Sequence, residues 1–289
     1  MTLPPYKSVF SPPEPSHAHA SVYWGRLYGS ALGLALRQIA TQHQGLVLVF
    51  AEHTTAAQQL HDQLAFYLSE GMPPLLQFPD WETLPYDIFS PHQDITSERL
   101  ECLYRLPALR KGVLVVPVQT LMNRLPPRDY IERRSLLINT GERLNFDEFR
   151  QRLVTSGYSA VSSVMEHGDF AVRGALLDLF PMGSPYPFRI ELLDDEIETI
   201  RTFDPETQRT INVVAQLRLL PAREFPLDED GIRHFRQAYR MLFEGDPQQS
   251  AIARVAGAQQ SRHCGHRFGV QLRRDAALGP PAGIFPLSG

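Results

Sequence analysis

The sequence predicts an α/β chain: a mainly parallel sheet covered on both faces by helices, followed by a smaller, mainly antiparallel α+β domain. Three observations carry this expectation. Continuous apolar runs at residues 45–50 and 112–117 lie between stretches with helical spacing, as strands buried on both faces do. After Pro126 and Pro127 the texture changes to short, partly alternating runs broken by glycine, proline and paired aspartates, the pattern of antiparallel strands. The 289 residues, 43% hydrophobic and 21% charged, are enough for more than one core and exclude collagen-like, coiled-coil and wholly disordered classes.

The elements follow in order. Residues 1–20 are rich in Pro, Ser and His without periodicity and read as a flexible arm. A helix is predicted over 30–43, a strand over 45–50, and a helix over 54–67 with Leu60 and Leu64 on one face. A short strand at 75–78, a loop at 79–93, a helix over 97–109 and a strand over 112–117 complete the first part of the α/β domain, residues 21–134. The smaller domain is expected at 135–221. It opens at Leu137 and Ile138 and continues with a helix over 145–156, whose Phe146, Phe149 and Leu153 recur at helical spacing. Strands are predicted at 170–180, 188–193, 197–203 and 213–220. A helix over 228–243, carrying Ile232, Phe235, Tyr239 and Leu242, belongs to a return segment, 222–251, that rejoins the first domain. From 252 to 289 periodicity fades into Ala, Gly, Arg and Pro, and disorder is expected.

Charge divides unevenly. The net −4 splits into −8 over residues 1–251 and +4 over 252–289. An acidic body argues against a broad nucleic-acid groove, which depends on clustered Lys and Arg releasing counterions. No apolar run approaches the ~20 residues of a bilayer span. The N-terminus has no secretory h-region, so a cytoplasmic location is expected. Cys102 and Cys264 are too few for a disulfide framework.

Five stretches carry possible chemistry. Gly25-Arg-Leu-Tyr-Gly29-Ser30 opens the first predicted helix, where free N–H groups can cradle phosphate. The lysine and magnesium-binding hydroxyl of a phosphate loop are missing, since Ala31 and Leu32 follow Ser30; the structural alternative is a turn with Ser30 as helix cap. The stretch from Phe78 to His92 gathers carboxylates, aromatics and a histidine, and equally suits a rigid loop over the sheet edge. Asp194-Asp195-Glu196 could hold a metal or form a solvated hairpin turn. His263-Cys264-Gly265-His266 has zinc-binding side chains but no second pair at finger spacing. In the fifth stretch, 165–181, Arg173 and Asp178 point away from the apolar face, and Gly174 allows a bulge or close approach. With Arg189 and Glu191 on the next strand they form either a charged patch or an ordinary wet sheet face. No nucleophile elbow or triad appears, so no catalytic residue and no cofactor are expected.

Asp80-Trp-Glu-Thr-Leu-Pro-Tyr-Asp87, Ser90-Pro-His-Gln93, Met165-Glu-His-Gly168, Arg173-Gly-Ala-Leu-Leu-Asp-Leu-Phe-Pro-Met-Gly183 and Phe203-Asp204 together resemble the N-terminal region of bacterial transcription-repair coupling factor. That region is itself similar to the damage-recognition protein UvrB, and the resemblance covers about residues 20–250. It implies a degenerate helicase-like, P-loop-type parallel-sheet domain interrupted by a smaller domain that docks onto UvrA in nucleotide excision repair. The phosphate-loop lysine is absent, as it is in coupling factors, and the stretch between Tyr86 and Ser97 is too short for UvrB's DNA-clamping hairpin. In the family, translocation on double-stranded DNA and binding to RNA polymerase belong to regions further along the chain, beyond this sequence. By matching, Arg173, Arg189 and Glu191 face UvrA, Glu191 holding one arginine in place; Leu193 stands where the family often has an aromatic. The resemblance therefore implies a non-catalytic module that recruits UvrA to stalled transcription. The alternative is a nucleotide-dependent, helicase-like DNA enzyme built on Gly25, Gly29 and Ser30. From Ile252 the sequence no longer follows the family, as a reading-frame change would produce.

Overall fold

A computed structural model describes residues 12, 21–25, 27–68, 72–83 and 90–242. The expected arm apart from Pro12, residues 84–89 of the loop, and the tail with His263, Cys264 and His266 lie outside the described residues.

The first sheet has three parallel strands in the order β1–β3–β2: β1 (Leu46–Ala51), β2 (Leu75–Gln77) and β3 (Gly112–Pro117). β3 is buried along its whole length, which is why its sequence is apolar without alternation. Helices α1 (Ala31–Gln42) and α2 (Thr54–Tyr67) cover one face, where Leu36, Ala57, Leu60 and Leu64 meet Val113 and Val115. Helix α3 (Gln93–Arg105) covers the other through Cys102, which packs with Leu76, Phe78, Leu114 and Val116. Burial pushes the Cys102 thiol up to about 12. On that face β1 leaves Leu48 and Phe50 half exposed.

α3 begins and ends four residues earlier than predicted. His92 Nδ1 accepts from the Asp94 backbone N–H at 3.3 Å and starts the helix. Pro107, which lacks an N–H, turns the far end into a 3₁₀ turn, Leu106–Ala108. Three further elements were not anticipated: the 3₁₀ helix Val118–Met122, α4 (Arg128–Arg134), which opens directly after Pro126-Pro127, and a two-residue strand, Ser159–Ala160.

The second sheet has six strands in the order β10–β9–β8–β7–β6–β5. They are β5 (Ser159–Ala160), β6 (Asp169–Arg173), β7 (Leu176–Leu179), β8 (Phe188–Leu193), β9 (Glu196–Phe203) and β10 (Thr210–Val214). All neighbours are antiparallel except β5 and β6. The run 170–180 is a hairpin that turns at Gly174, whose φ of +61° is the left-handed region glycine adopts freely. The run 213–220 is not one strand. It divides at Ala215 into β10 and β11 (Gln216–Leu219), and β11 pairs with β4 (Leu136–Asn139) in a separate two-stranded ladder. The Ala215 carbonyl accepts from Thr140 N–H at 2.9 Å, anchoring the break.

One face of the six-stranded sheet packs against α5 (Phe146–Thr155), with Phe149 and Leu153 meeting Phe170, Leu177, Leu179, Ile190 and Ile200. Asn145 caps α5, its Oδ1 accepting from the N–H groups of Asp147 and Glu148 at 3.0 and 3.2 Å. α3 serves both cores: Leu100 faces this one and Cys102 the first. After β11 the chain returns to the first sheet. The buried Glu224 carboxylate accepts from Arg99 Nε at 2.6 Å, Arg99 Nη2 at 3.1 Å and Trp81 Nε1 at 2.7 Å. The same guanidinium, wholly buried, donates to the Pro79 carbonyl and lies 4.1 Å from the Phe78 ring centroid. Helix α6 (Glu229–Leu242) follows, with an ion pair between Asp228 and Arg134 just before it.

Candidate partner-binding site

Alternation along β8 places Arg189, Glu191 and Leu193 on the sheet face opposite α5, and the ladders add Arg173 and Leu176, Asp178, Thr199 and Arg201 to it. Part of that face is covered by the segment before β6: Val164 packs with Ala171, Phe180 and Phe203, and the His167 ring stacks on Phe180 at 4.0 Å. The rest is open.

Register decides the pairings there. Arg189 stands opposite Asp178 and binds it in a fork, Nε to Oδ1 at 2.6 Å and Nη2 to Oδ2 at 2.9 Å, with its guanidinium 4.7 Å from the Phe203 ring centroid. That hydrogen-bonded pairing raises the Arg189 pKa above the ordinary arginine value, against the opposing effect of burial. Asp178 is buried, and the Arg189 guanidinium meets both of its carboxylate oxygens there. Glu191 does not hold Arg173 or Arg189, as the resemblance implied. It accepts instead from Arg201 Nη2 at 2.5 Å and Thr199 Oγ1 at 3.3 Å. Arg173 is exposed at the end of β6 and donates to the Ser162 carbonyl. Leu193 keeps 63% of its surface in solvent. The structure thus brings all four expected residues to one face, together with Arg201, which the sequence reading did not single out.

The glycine loop lies elsewhere. Gly25, Gly29 and Ser30 are exposed, and Gly29 has φ +58°. Ser30 occupies the N-cap position of α1, but its side chain makes no capping bond; its Oγ accepts from Tyr67 Oη at 3.0 Å. Lys111 is at the other end of α1, where Nζ donates to the Thr41 carbonyl at 2.8 Å. A 12-residue helix places those ends about 18 Å apart. The stretch from Phe78 is structural where it is described: Trp81 joins the Arg99–Glu224 pair, and Asp80 accepts from Thr120 and Asn123 at 3.3 Å. Asp194 and Asp195 form the turn between β8 and β9.

Residues 136–225 match the family described as the UvrB interaction domain. That span takes in β4 through β11 and the returning Glu224. This span is similar to a UvrB interaction domain. The chain is also similar to transcription-repair-coupling factors: 47% identical over 236 residues to that of Haemophilus influenzae, covering 82% of this chain and 20% of the relative. The Escherichia coli protein is 46% identical over 220 residues, covering 76% and 19%. That of Rickettsia prowazekii is 34% identical over 188 residues, covering 65% and 16%. The chain spans about a fifth of the length of the curated relatives it matches. These comparisons bear out the resemblance to the N-terminal region of coupling factor. No helix among the described residues is long and apolar enough to cross a membrane.

Proposed function

We propose that this chain is a non-catalytic recruitment module in which the open face of the UvrB interaction domain docks UvrA, bringing excision repair to stalled transcription. The observation that carries the reading is the arginine set on that face, Arg173 free of any carboxylate bond shown for it and Arg189 held in place by Asp178. Carboxylates of the partner can take the remaining guanidinium N–H groups, each charge-assisted bond contributing about 1.5–3 kcal/mol once desolvated. Residues 135–221 are the docking domain in this reading, and 21–134 with 222–251 form a degenerate helicase-like unit. The vacant lysine position at the α1 N-terminus, with Lys111 at the far end of the helix, supports the absence of nucleotide chemistry in that unit. In this reading RNA polymerase and double-stranded DNA are engaged by parts of coupling factors outside the fifth of their length that this chain matches.

A pull-down against purified UvrA tests the docking. The Arg173→Ala, Arg189→Ala double variant, verified as folded, is expected to retain little UvrA; retention at the wild-type level overturns the reading. For the nucleotide alternative, calorimetric titration with ATP and magnesium is expected to give no binding heat. Saturable heat that disappears when Gly29 and Ser30 are altered replaces recruitment with an enzyme.

A further inference from the structure

In the β8–β9 ladder Arg189 and Arg201 stand directly opposite each other. Two guanidiniums at that spacing repel, and sheets ordinarily avoid like charges there. Here each is drawn away by a carboxylate on a different side: Arg189 across to Asp178 on β7, and Arg201 along the sheet to Glu191. A neutral residue at position 201 would spare the sheet this conflict. A local rule broken on an open face is expected where function requires it. Arg201 is also the better presented of the two, with 34% of its side chain exposed against 20% for Arg189. Its bond to Glu191 runs through Nη2, and a guanidinium has five N–H donors. Opposite Arg201 on β10 is Val213, exposed over 70% of its surface.

We propose that Arg201 is a third contact arginine of the docking face, which therefore fits a segment of UvrA presenting carboxylates beside an apolar side chain that settles against Val213. The proposal rests on the docking reading above. Glu191 is then the residue that orients Arg201. The competing role is the reverse, with Arg201 only propping Glu191 for the partner.

Titration of purified UvrA into the whole chain separates the two through a cycle of Arg201→Ala, Glu191→Gln and both together. A contact arginine predicts that Arg201→Ala weakens binding about tenfold, that a comparable factor recurs in the Glu191→Gln background, and that the salt dependence of association falls. An unchanged affinity, or an effect that vanishes once Glu191 is neutralised, overturns the proposal. Arg201→Gln, which keeps a hydrogen-bond donor for Glu191 while removing the charge, covers the case in which the alanine variant folds poorly; at a wild-type melting temperature it is expected to weaken binding as well, and wild-type affinity in it counts against the contact. If the Arg173→Ala, Arg189→Ala variant binds normally, the docking reading itself fails. If that variant loses binding and Arg201→Ala does not, only the third contact falls.

Discussion

Arg99 and Glu224 form a charge pair removed from water, closed by a forked hydrogen bond, the Trp81 indole and the Pro79 carbonyl. Removing one partner leaves the other buried and uncompensated, at a cost of about 3–5 kcal/mol. Urea denaturation of Arg99→Met is expected to show a loss of that size, and Arg99→Met combined with Glu224→Leu to recover much of it. Tyr130 offers a pH-dependent counterpart. Its hydroxyl donates to the Arg223 carbonyl at 3.1 Å, and burial pushes its pKa up to about 12 from an ordinary 10. A raised pKa means that the folded state holds the proton more tightly, so the stabilisation is complete below about pH 10 and is lost as pH climbs through about 12. Tyr130→Phe is therefore expected to flatten the alkaline fall in urea midpoint across that window. Among the site residues, alternation made the shared face of Arg173, Arg189 and Glu191 legible, because a strand's period is two. Their pairings were not legible, because register is a property of two strands and not of one sequence.

At the scale of elements, a β-bulge explains why Arg201 escaped notice. Counting back from the Asp194-Asp195 turn pairs Leu193 with Glu196 and Leu192 with Ile197, which in a regular ladder would set Glu191 opposite Glu198 and Arg189 opposite Ile200. The register shift between Glu191 and Leu192 instead brings Thr199 and Arg201 onto the charged face and sends Ile200 into the core. Ile197 and Ile200, spaced by three, are the visible trace of that bulge, but the same spacing also occurs on helices. Long elements with one partner face, such as α1 and α2, were readable because burial imposes one clear periodicity, and β3 because burial on both faces leaves an unbroken apolar run. The β10–β11 division was hidden because two short strands in different sheets alternate like a single one. The capping of α5 follows from sequence chemistry alone, and Asn145→Ala is expected to lower stability by about 1 kcal/mol in thermal melts, since two backbone N–H groups lose their acceptor.

Across the whole molecule, α3 joins the two sheets. Leu100 and Cys102 serve different cores, Ser97 Oγ accepts from Gly183 N–H at 2.8 Å, and His167 lies between Asp94 Oδ1 at 2.7 Å and the Ser184 carbonyl at 2.8 Å. Composition pointed to a boundary after Pro126-Pro127, yet contacts cross it freely, because a helix buried on two sides shows no single stripe from which its double role can be read. The Arg99–Glu224 pair gives this arrangement an order in time. Glu224 follows Arg99 by 125 residues, with the entire six-stranded sheet spelled out between them. During synthesis on the ribosome the guanidinium emerges before its carboxylate, so the pair that seals the first sheet can close only once the chain of the six-stranded sheet has been made.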